Sequence, residues 1–176
     1  IIFINSVIEH PFSINDFFKK LNKLLSKNGI IVLVDMHCNG LDILSLREKA
    51  PNVNPYSILQ IGSIDGIKQL SKKNGFKIED IFSVGEMDTD ILYEFIKKME
   101  QNNPLKSLQR LLKNDEFRKD FQALLSKHLY TGYNGYILQK IKKSWEFYKR
   151  LNLMKKIYKY LISENESIRN SIKKMD

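Results

Sequence analysis

Residues 1–36 read IIFINSVIEHPFSINDFFKKLNKLLSKNGIIVLVDM, and this stretch decides the fold. Residues 1–5 and 30–34 are continuous apolar runs, which are typical of strands buried in a parallel sheet. Between them, Ser13 with Asp16 three residues later predicts the N-terminus of a helix, whose apolar residues then recur at helical spacing. Strand, helix and strand in this order predict a right-handed βαβ unit with parallel strands.

Helix ends and apolar runs extend this α/β pattern through the rest of the chain. Asn28-Gly29 predicts the end of the first helix in the left-handed backbone conformation that suits both residues. Gly75 predicts the end of another helix, and residues 76–84 predict the strand that follows it. Residues 136–141 alternate and predict a last strand with one face exposed. Helices are predicted at 41–49, 64–74, 91–101, 105–113, 115–127 and from Lys143 to the chain end.

Size and composition favour one soluble globular domain. The 176 residues are 43% hydrophobic and 28% charged, which is typical of globular proteins. No apolar run approaches the roughly 20 residues needed to cross a bilayer. The single cysteine, Cys38, excludes an internal disulfide framework and agrees with a cytoplasmic location. The sequence has no initiator Met and no targeting segment and begins as if within a strand, so we expect a fragment.

The net charge of +9 is concentrated near the C-terminus. Residues 140–176 hold 11 Lys and Arg against 4 Asp and Glu, which accounts for +7 of the total. Such a segment indicates either an acidic partner (nucleic acid, anionic lipid headgroups or a phosphorylated substrate) or simply a solvated helix. Trp145, Tyr148, Tyr158 and Tyr160 among the lysines allow peripheral contact with an anionic membrane, although a helix packed on the domain is the simpler interpretation.

Five segments, taken in order, carry a family resemblance. They are SVIEH (6–10), LLSKNGIIVLV (24–34), VDMHCNGLDIL (34–44), NGFKIEDIFSVGEMDTDIL (74–92) and DFQALLSKHLYTGYNGYILQKIKK (120–143). Together they resemble the second half of a class I S-adenosylmethionine-dependent methyltransferase. The first two segments are similar to the family's strand four, helix end and strand five. The other three are similar to the branch found with surface-polysaccharide genes, in which the last segment contains the antiparallel final strand.

The resemblance implies a partial Rossmann-like methyltransferase fold, the second half of its sheet, with S-adenosylmethionine as the cofactor. Residues 1–143 would be the C-terminal portion of the methyltransferase domain, with an α-helical insertion at about 91–127. Residues 144–176 would form a basic helical C-terminal tail. The implied activity is methyl transfer to a small or carbohydrate-linked acceptor, in the setting of polysaccharide biosynthesis.

Two departures from the family pattern restrict what carries over. The glycine-rich turn that cradles the cofactor's methionine end is absent, as is the acidic residue that would hold the ribose. Both belong to the first βαβ segment of doubly wound folds, so we expect them upstream of Ile1 and expect the fragment to be inactive alone. In addition, Met36-His37 stand where the family has Pro-Asn, so roles at these two positions do not carry over unchanged.

Polar residues gather where the first strand ends, and ligands of open α/β sheets bind beyond the carboxyl ends of strands. We assign Asn5, Ser6 and Glu9 to cofactor binding. His10 begins the loop that faces the expected acceptor site, and His37 occupies the equivalent position after the next strand. Methyl transfer needs alignment and a base for a hydroxyl or amine acceptor, and histidine can supply that base near neutral pH. His10 is the first candidate base and His37 the second, with a structural role as the alternative for each.

Other titratable residues are assigned no chemistry. Glu9 with His10 supplies too few ligands for a metal ion, so no metal site is predicted. His128 is interpreted as structural, and Cys38 as a small apolar filler because no base is identifiable near it. Asp88 is interpreted as a helix-start residue that accepts hydrogen bonds from otherwise unpaired amides.

A second function class stays open, a noncatalytic binding module whose basic tail docks on a partner protein or nucleic acid. Aromatic residues among lysines could stack on single-stranded RNA. However, no RNA-binding signature accompanies them, so nucleic acid is disfavoured as a partner. Binding of S-adenosylhomocysteine would distinguish the enzyme from the binding module. The sequence leaves the oligomeric state open.

Overall fold

The structure, a computed structural model, describes residues 1–54 and 56–140. The strands of the described residues are β1 Ile2–Asn5, β2 Ile30–Met36, β3 Lys77–Ser83 and β4 Tyr133–Gln139. They form one sheet in the spatial order β1-β2-β4-β3. β1 and β2 run parallel, whereas β4 runs antiparallel to both of its neighbours. The predicted α/β class is therefore confirmed, and the last strand has the antiparallel direction that the family resemblance implies.

Helices connect these strands. The α-helices of the described residues are α1 Ile14–Leu24, α2 Leu41–Leu46, α3 Ile64–Lys73, α4 Asp88–Lys97, α5 Gln109–Leu112 and α6 Asp115–His128. Short 3-10 helices cover Arg47–Lys49 and Pro104–Leu108. None of the helices in this described part is long and apolar enough to cross a bilayer. The tail predicted at 144–176 lies outside the described residues, so the domain boundary proposed at 143 stays a prediction.

The β1-α1-β2 unit begins as predicted but its helix ends earlier. Ser13 caps α1, because its Oγ accepts the backbone N–H of Asp16 at 3.2 Å and donates to the Asp16 carboxylate at 2.9 Å. The end predicted at Asn28-Gly29 is wrong, since α1 ends at Leu24 and Gly29 has no positive φ. Instead, the extended backbone of Leu25 turns the chain and packs its side chain where a Cβ on Gly29 would lie, 2.5 Å from Leu25 Cδ1.

The prediction that β1 is buried on both faces is wrong. Ile4 packs into the core with α1, but Phe3 on the opposite face is 55% exposed. The physical reason is position: β1 is an edge strand of the sheet as described, and helices of the described residues cover only one of its faces. An apolar run alone cannot distinguish these two environments, because both faces of the strand carry apolar residues.

The prediction that the last strand exposes one face is also wrong. β4 pairs on both sides, with β2 and with β3, and all its residues after Tyr133 are buried. Tyr136 and Leu138 enter the core cluster that α1 and α3 cover. On the other face Gly135 lies under the ring of Phe82, where an added Cβ would come within 2.5 Å of Phe82 Cε2. A central position in the sheet therefore overrides the alternating sequence pattern.

A second hydrophobic cluster joins the helices that precede and follow β3. Its buried members are Leu46, Ala50, Leu92, Ile96 and Leu112. This cluster packs α4 and α5 against α2, which begins just beyond the carboxyl end of β2. The cluster thereby anchors the helices between 88 and 128 near the carboxyl end of β2.

Candidate functional site

The backbone turns sharply at the carboxyl end of β1. Ser6 adopts a left-handed conformation with φ 52°, which costs a non-glycine residue roughly 1 kcal/mol or more. Its N–H still donates to the carbonyl of Val34 at 3.0 Å, so the turn begins at the last parallel hydrogen bond of the strand. Asn5 is exposed and Ser6 is half-buried. Two of the three predicted cofactor residues, Asn5 and Ser6, thus lie at the strand end and are at least partly exposed.

Asp35 holds the loop that follows this turn. Its Oδ2 accepts hydrogen bonds from the backbone N–H groups of Val7 at 3.1 Å and Ile8 at 2.9 Å, and its Oδ1 accepts that of Met36 at 2.9 Å. Asp35 is fully buried. The sequence interpretation did not assign Asp35 a role. Its position directly after the apolar run 30–34 could have indicated a buried carboxyl group at the end of the strand.

The carboxyl groups of Glu9 and Asp35 contact each other. Glu9 is only 4% exposed, and its Oε2 has no hydrogen-bond donor. Burial, followed by the Glu9 carboxyl, raises the pKa of Asp35 to about 7. Two carboxylates cannot accept a hydrogen bond from each other, so a proton shared between them is needed to make the contact favourable. The structure therefore brings together one predicted residue and one that sequence reasoning missed.

A hydrogen bond to the Ser57 carbonyl fixes the orientation of the His10 ring. Its Nδ1 lies 2.7 Å from the carbonyl oxygen of Ser57, and because a carbonyl only accepts, Nδ1 carries the proton. Nε2 lies 3.7 Å from Glu9 Oε1. The side chain is about half exposed. In the neutral ring, Nε2 is therefore the basic nitrogen, and it stands beside a carboxyl group and within reach of solvent.

The loop after β1 is fastened to the segment that precedes α3. The Leu59 N–H donates to the Glu9 carbonyl at 2.9 Å, and the Gln60 side-chain amide donates to the carbonyls of Ile8 at 3.0 Å and Pro11 at 2.9 Å. These bonds, together with that from His10, position the loop from both sides. They join residues about 50 positions apart, which no local sequence pattern indicates.

His37, the second predicted base, is completely buried, with 0% exposure. Its Nε2 lies 2.9 Å from the hydroxyl of Tyr136, and its backbone N–H donates to the Gly132 carbonyl at 2.8 Å. Burial lowers the pKa of His37 to about 4 although Asp35 opposes this shift. At neutral pH the ring is uncharged. The two histidines thus occupy different environments. His37 is buried directly after β2, whereas His10 lies at the surface.

A second buried carboxyl pair lies around Gly132, just before β4. Asp88 accepts hydrogen bonds from the Gly132 N–H and, at 2.8 Å, from the side-chain amide of Gln122. Asp42 is 1% exposed, its Oδ1 has no donor, and burial and then Asp88 raise its pKa. A Cβ on Gly132 would lie 2.9 Å from Asp42 Oδ1 and 3.0 Å from Asp88 Oδ1. Asp88 thus lies in the first turn of α4 as predicted, but its carboxylate accepts hydrogen bonds from the segment before β4 and from α6, which the sequence interpretation did not foresee.

Tyr133 stands between the two carboxyl pairs. Burial raises the pKa of its hydroxyl, with further contributions from Glu9, Asp35 and Asp42, whereas a hydrogen bond with Ser6 opposes the shift. Tyr133 is half-buried. It therefore forms part of the accessible wall of a polar region that includes the ends of β1 and β2 and the start of β4.

Comparisons with known proteins give only distant likenesses. No protein-family model and no curated protein matches the chain. A Haemonchus contortus phosphoethanolamine N-methyltransferase 2 solved with S-adenosyl-L-methionine is 18% identical, with 80% of this chain and 33% of that chain covered and a TM-score of 0.46. The cyclopropane synthase MmaA2 from Mycobacterium tuberculosis is 17% identical, with 77% and 53% covered and a TM-score of 0.42. The chain thus spans about half, or less, of these solved structures, and such values carry no assignment of activity.

The buried ionisable groups of this region are mostly acidic. Four buried carboxyl groups lie here, those of Glu9, Asp35, Asp42 and Asp88. Among the ion pairs of residues 1–54 and 56–140, none joins a Lys or Arg to any of the four. No group of three His, Cys, Asp or Glu in that same part of the chain could hold a metal ion. In the described residues this region is therefore rich in buried acidic groups that lack a Lys or Arg partner.

Proposed function

We propose that this chain forms the acceptor-side part of an S-adenosylmethionine-dependent methyltransferase. The observation that carries the proposal is the geometry of His10, whose Nδ1 is held by Ser57 while Nε2 stands beside Glu9 at the carboxyl end of β1. This is the place in an open α/β sheet where ligands bind. The antiparallel β4 between β2 and β3 supports the same family resemblance. Cytoplasmic location is part of this proposal.

The proposed chemistry needs a base and alignment. When bound, the cofactor supplies a methyl group on a sulfonium, which is a good leaving group. His10 Nε2 would take the proton that an acceptor hydroxyl or amine loses on methylation, and the cofactor would leave as the neutral thioether. Because the Ser57 carbonyl accepts a hydrogen bond from Nδ1–H, the ring can take up this second proton at Nε2 without changing its tautomer. Glu9 Oε1, at 3.7 Å, would stabilise the imidazolium that results.

Asn5, Ser6 and Glu9 remain the residues proposed to hold the cofactor. They fit a ligand that carries hydroxyl and amine groups, because Asn5 is exposed at the strand end and the buried Glu9 Oε2 lacks a donor. The left-handed turn at Ser6 lets a ligand approach the end of β1 closely.

For His37 we propose positioning rather than proton transfer. It is buried and its pKa lies far below neutrality, so it is an uncharged hydrogen-bond partner of Tyr136. In this role His37 fixes the junction between β2 and β4, on which the loop after β1 depends through Asp35.

The identity of the acceptor rests on the family resemblance alone. We propose a small or carbohydrate-linked acceptor, with polysaccharide biosynthesis as the setting. Peripheral membrane contact through the tail at 144–176 is proposed on its charge, because a basic segment with interleaved aromatics favours anionic headgroups. The oligomeric state is left open.

The deciding experiment compares two histidines. Methyl transfer from labelled S-adenosylmethionine and calorimetric binding of S-adenosylhomocysteine are measured on the chain alone and on the chain joined to whatever reading frame precedes Ile1 in the source DNA. In the form that binds cofactor, His10→Ala should lower the transfer rate roughly 100-fold or more while cofactor affinity stays within about twofold. His128→Ala, an exposed histidine at the end of α6, should change neither.

Two results would count against the proposal. If neither form binds S-adenosylhomocysteine, the noncatalytic binding module becomes the better interpretation. If cofactor binds but His10→Ala transfers methyl groups at the unmodified rate, His10 is not the base and the catalytic assignment fails.

A further inference from the structure

Two buried carboxylate oxygens in the described residues have no hydrogen-bond donor, and both belong to the polar region beyond β1 and β2. They are Glu9 Oε2 and Asp42 Oδ1. A buried carboxylate without a donor or counter-charge costs several kcal/mol. Such a group is therefore neutralised by a proton or by a cation that the site binds. In a chain with a net charge of +9, the shortage of positive partners is local to this region.

Of the two pairs, the Glu9–Asp35 pair has exposed and half-buried side chains beside it. Glu9 adjoins the exposed His10, and the half-buried Ser6 and Tyr133 flank the same loop. By contrast, the Asp42–Asp88 pair is closed by Gly132, Gln122 and Asn52, which donate to it or pack directly against it. The Glu9–Asp35 pair thus combines an unsatisfied buried oxygen with neighbours that reach the surface.

We propose that the Glu9–Asp35 pair binds an organic ammonium group, which replaces the proton that the two carboxyls otherwise share. An ammonium N–H donates to Glu9 Oε2, the atom that lacks a donor, and its charge compensates both carboxylates. Two molecules could supply the group: an amine acceptor, or the amino-acid end of the cofactor. The assignment to either of them rests on the proposed function, whereas the ammonium site itself does not.

A divalent metal is the weaker alternative. Such ions take several oxygen or imidazole ligands at once, and the described residues offer no cluster of three His, Cys, Asp or Glu. An ammonium group needs only two or three hydrogen-bond acceptors, which Glu9, Asp35 and the Tyr133 hydroxyl can supply.

The exchange has a defined proton balance: one ammonium enters and one proton leaves. Because Asp35 has a pKa of about 7 in the free protein, affinity for ammonium should rise as the pH increases through 7 and level off above it. The titratable groups that face the pair from the packed elements are His10, His37, Tyr133 and Tyr136.

The test uses propylammonium and 1-propanol, which differ in charge but little in shape. With the 176-residue chain, propylammonium should shift the backbone amide signals of Val7 and Ile8 saturably, whereas 1-propanol should not. Calorimetry in two buffers of different ionisation enthalpy should show the release of about half a proton per ligand at pH 7, where a group with a pKa of about 7 is half protonated, and of nearly one proton well below pH 7. Glu9→Gln should weaken binding roughly tenfold or more and abolish proton release, whereas Glu116→Gln, an exposed control on α6, should do neither.

Further arms identify the source of the ammonium. If only S-adenosylhomocysteine binds and Glu9→Gln weakens it, while 5′-methylthioadenosine is unaffected, the cofactor supplies the group. If propylammonium binds but no S-adenosylhomocysteine binding or methyl transfer is found, the ammonium site stands and the proposed function fails. The inference is overturned if Glu9→Gln leaves all ligand affinities unchanged, if 1-propanol binds as well as propylammonium, or if magnesium chloride produces the same shifts at lower concentration.

Discussion

Asp35 Oδ2 accepts a hydrogen bond from the backbone N–H of Ile8 at 2.9 Å, so a side chain of β2 determines the path of the loop that follows β1. The same oxygen also accepts the N–H of Val7. The loop carries Glu9 and His10, the two residues on which the proposed chemistry depends. Neighbouring strands thus build this site jointly, one through its loop and the other through a buried carboxyl group.

Replacing Asp35 should therefore disturb the loop more than its own strand. Asp35→Ala removes the acceptor of three backbone N–H groups, and we expect the free energy of unfolding to fall by roughly 2–4 kcal/mol in urea titrations. Hydrogen exchange at Val7 and Ile8 should accelerate. Asp65→Ala, at an exposed aspartate in the first turn of α3, should cost less than about 1 kcal/mol. Equal losses for the two variants would contradict this role of Asp35.

The buried groups His37 and Asp35 should affect stability with opposite pH dependence. The pKa of His37 falls from 6.5 to about 4 on folding, so the unfolded chain binds more protons in that range and stability rises with pH from about 4 to 6.5. The pKa of Asp35 rises from 3.8 to about 7, so the folded chain binds more protons and stability falls over that range. Each slope is at most about 1.4 kcal/mol per pH unit.

Single substitutions should separate these two slopes. We compare the free energy of unfolding at pH 6.5 with that at pH 4.5, by urea titration. His37→Gln, which keeps an acceptor for Tyr136, should lower this difference relative to the unmodified chain, and Asp35→Asn should raise it. Identical differences in all three proteins would show that neither pKa shift is present in solution.

Gly135 should tolerate no side chain, because the ring of Phe82 covers it across the β3–β4 pair. Gly135→Ala should lower the free energy of unfolding by roughly 1–3 kcal/mol, since the ring must move. In a Phe82→Ala background the same change should cost at least about 0.5 kcal/mol less. Gly66→Ala, on an exposed position of α3, is the control and should stay within about 1 kcal/mol of the unmodified chain. Additive costs at 82 and 135 would refute the direct contact.

Arg118 should not be replaceable by lysine. Its guanidinium donates to Asp90 at 2.7 Å, to Asp115 at 2.6 Å and to the carbonyl of Leu112 at 2.6 Å, and it lies 4.8 Å from the ring centroid of Tyr93. A lysine ammonium cannot match this planar set of donors. Arg118→Lys should therefore lower the free energy of unfolding by about 1–2 kcal/mol.

The control for Arg118 is the same change at an exposed arginine. Arg110→Lys, in α5, should alter the free energy of unfolding by less than about 0.5 kcal/mol in the same thermal or urea titration. If both arginine variants lose equal stability, the contacts of Arg118 contribute nothing beyond its charge.

Local patterns predicted much of the fold. The cap at Ser13 and the helix end before Gly75, whose φ is +76°, agree with the structure because both depend on residues next to one another in the chain. The predictions at Asn28-Gly29 and for the exposed face of the last strand were wrong. In both places tertiary packing decides the outcome: Leu25 enters the core at the first, and β4 pairs on both sides at the second.

The candidate site was predictable only in part. A polar cluster after an apolar strand indicated Asn5, Ser6, Glu9 and His10, because strand ends are recognisable in sequence. Asp35 was missed although it lies next to a predicted strand, since its role depends on which neighbour its side chain faces. Whether His37 reaches a ligand or packs against Tyr136 could not be read from position alone.

The sequence by itself determined where helices and strands form, which strand carries the polar turn, and that charge accumulates toward the C-terminus. These properties follow from residue spacing and type, which act over a few positions of the chain. Only the tertiary structure decided that Glu9 meets Asp35, that Ser57 fixes the tautomer of His10, and that His37 is buried and neutral. Those facts depend on contacts between residues 26 to 99 positions apart and on the loss of water around them, and both arise only when the chain packs.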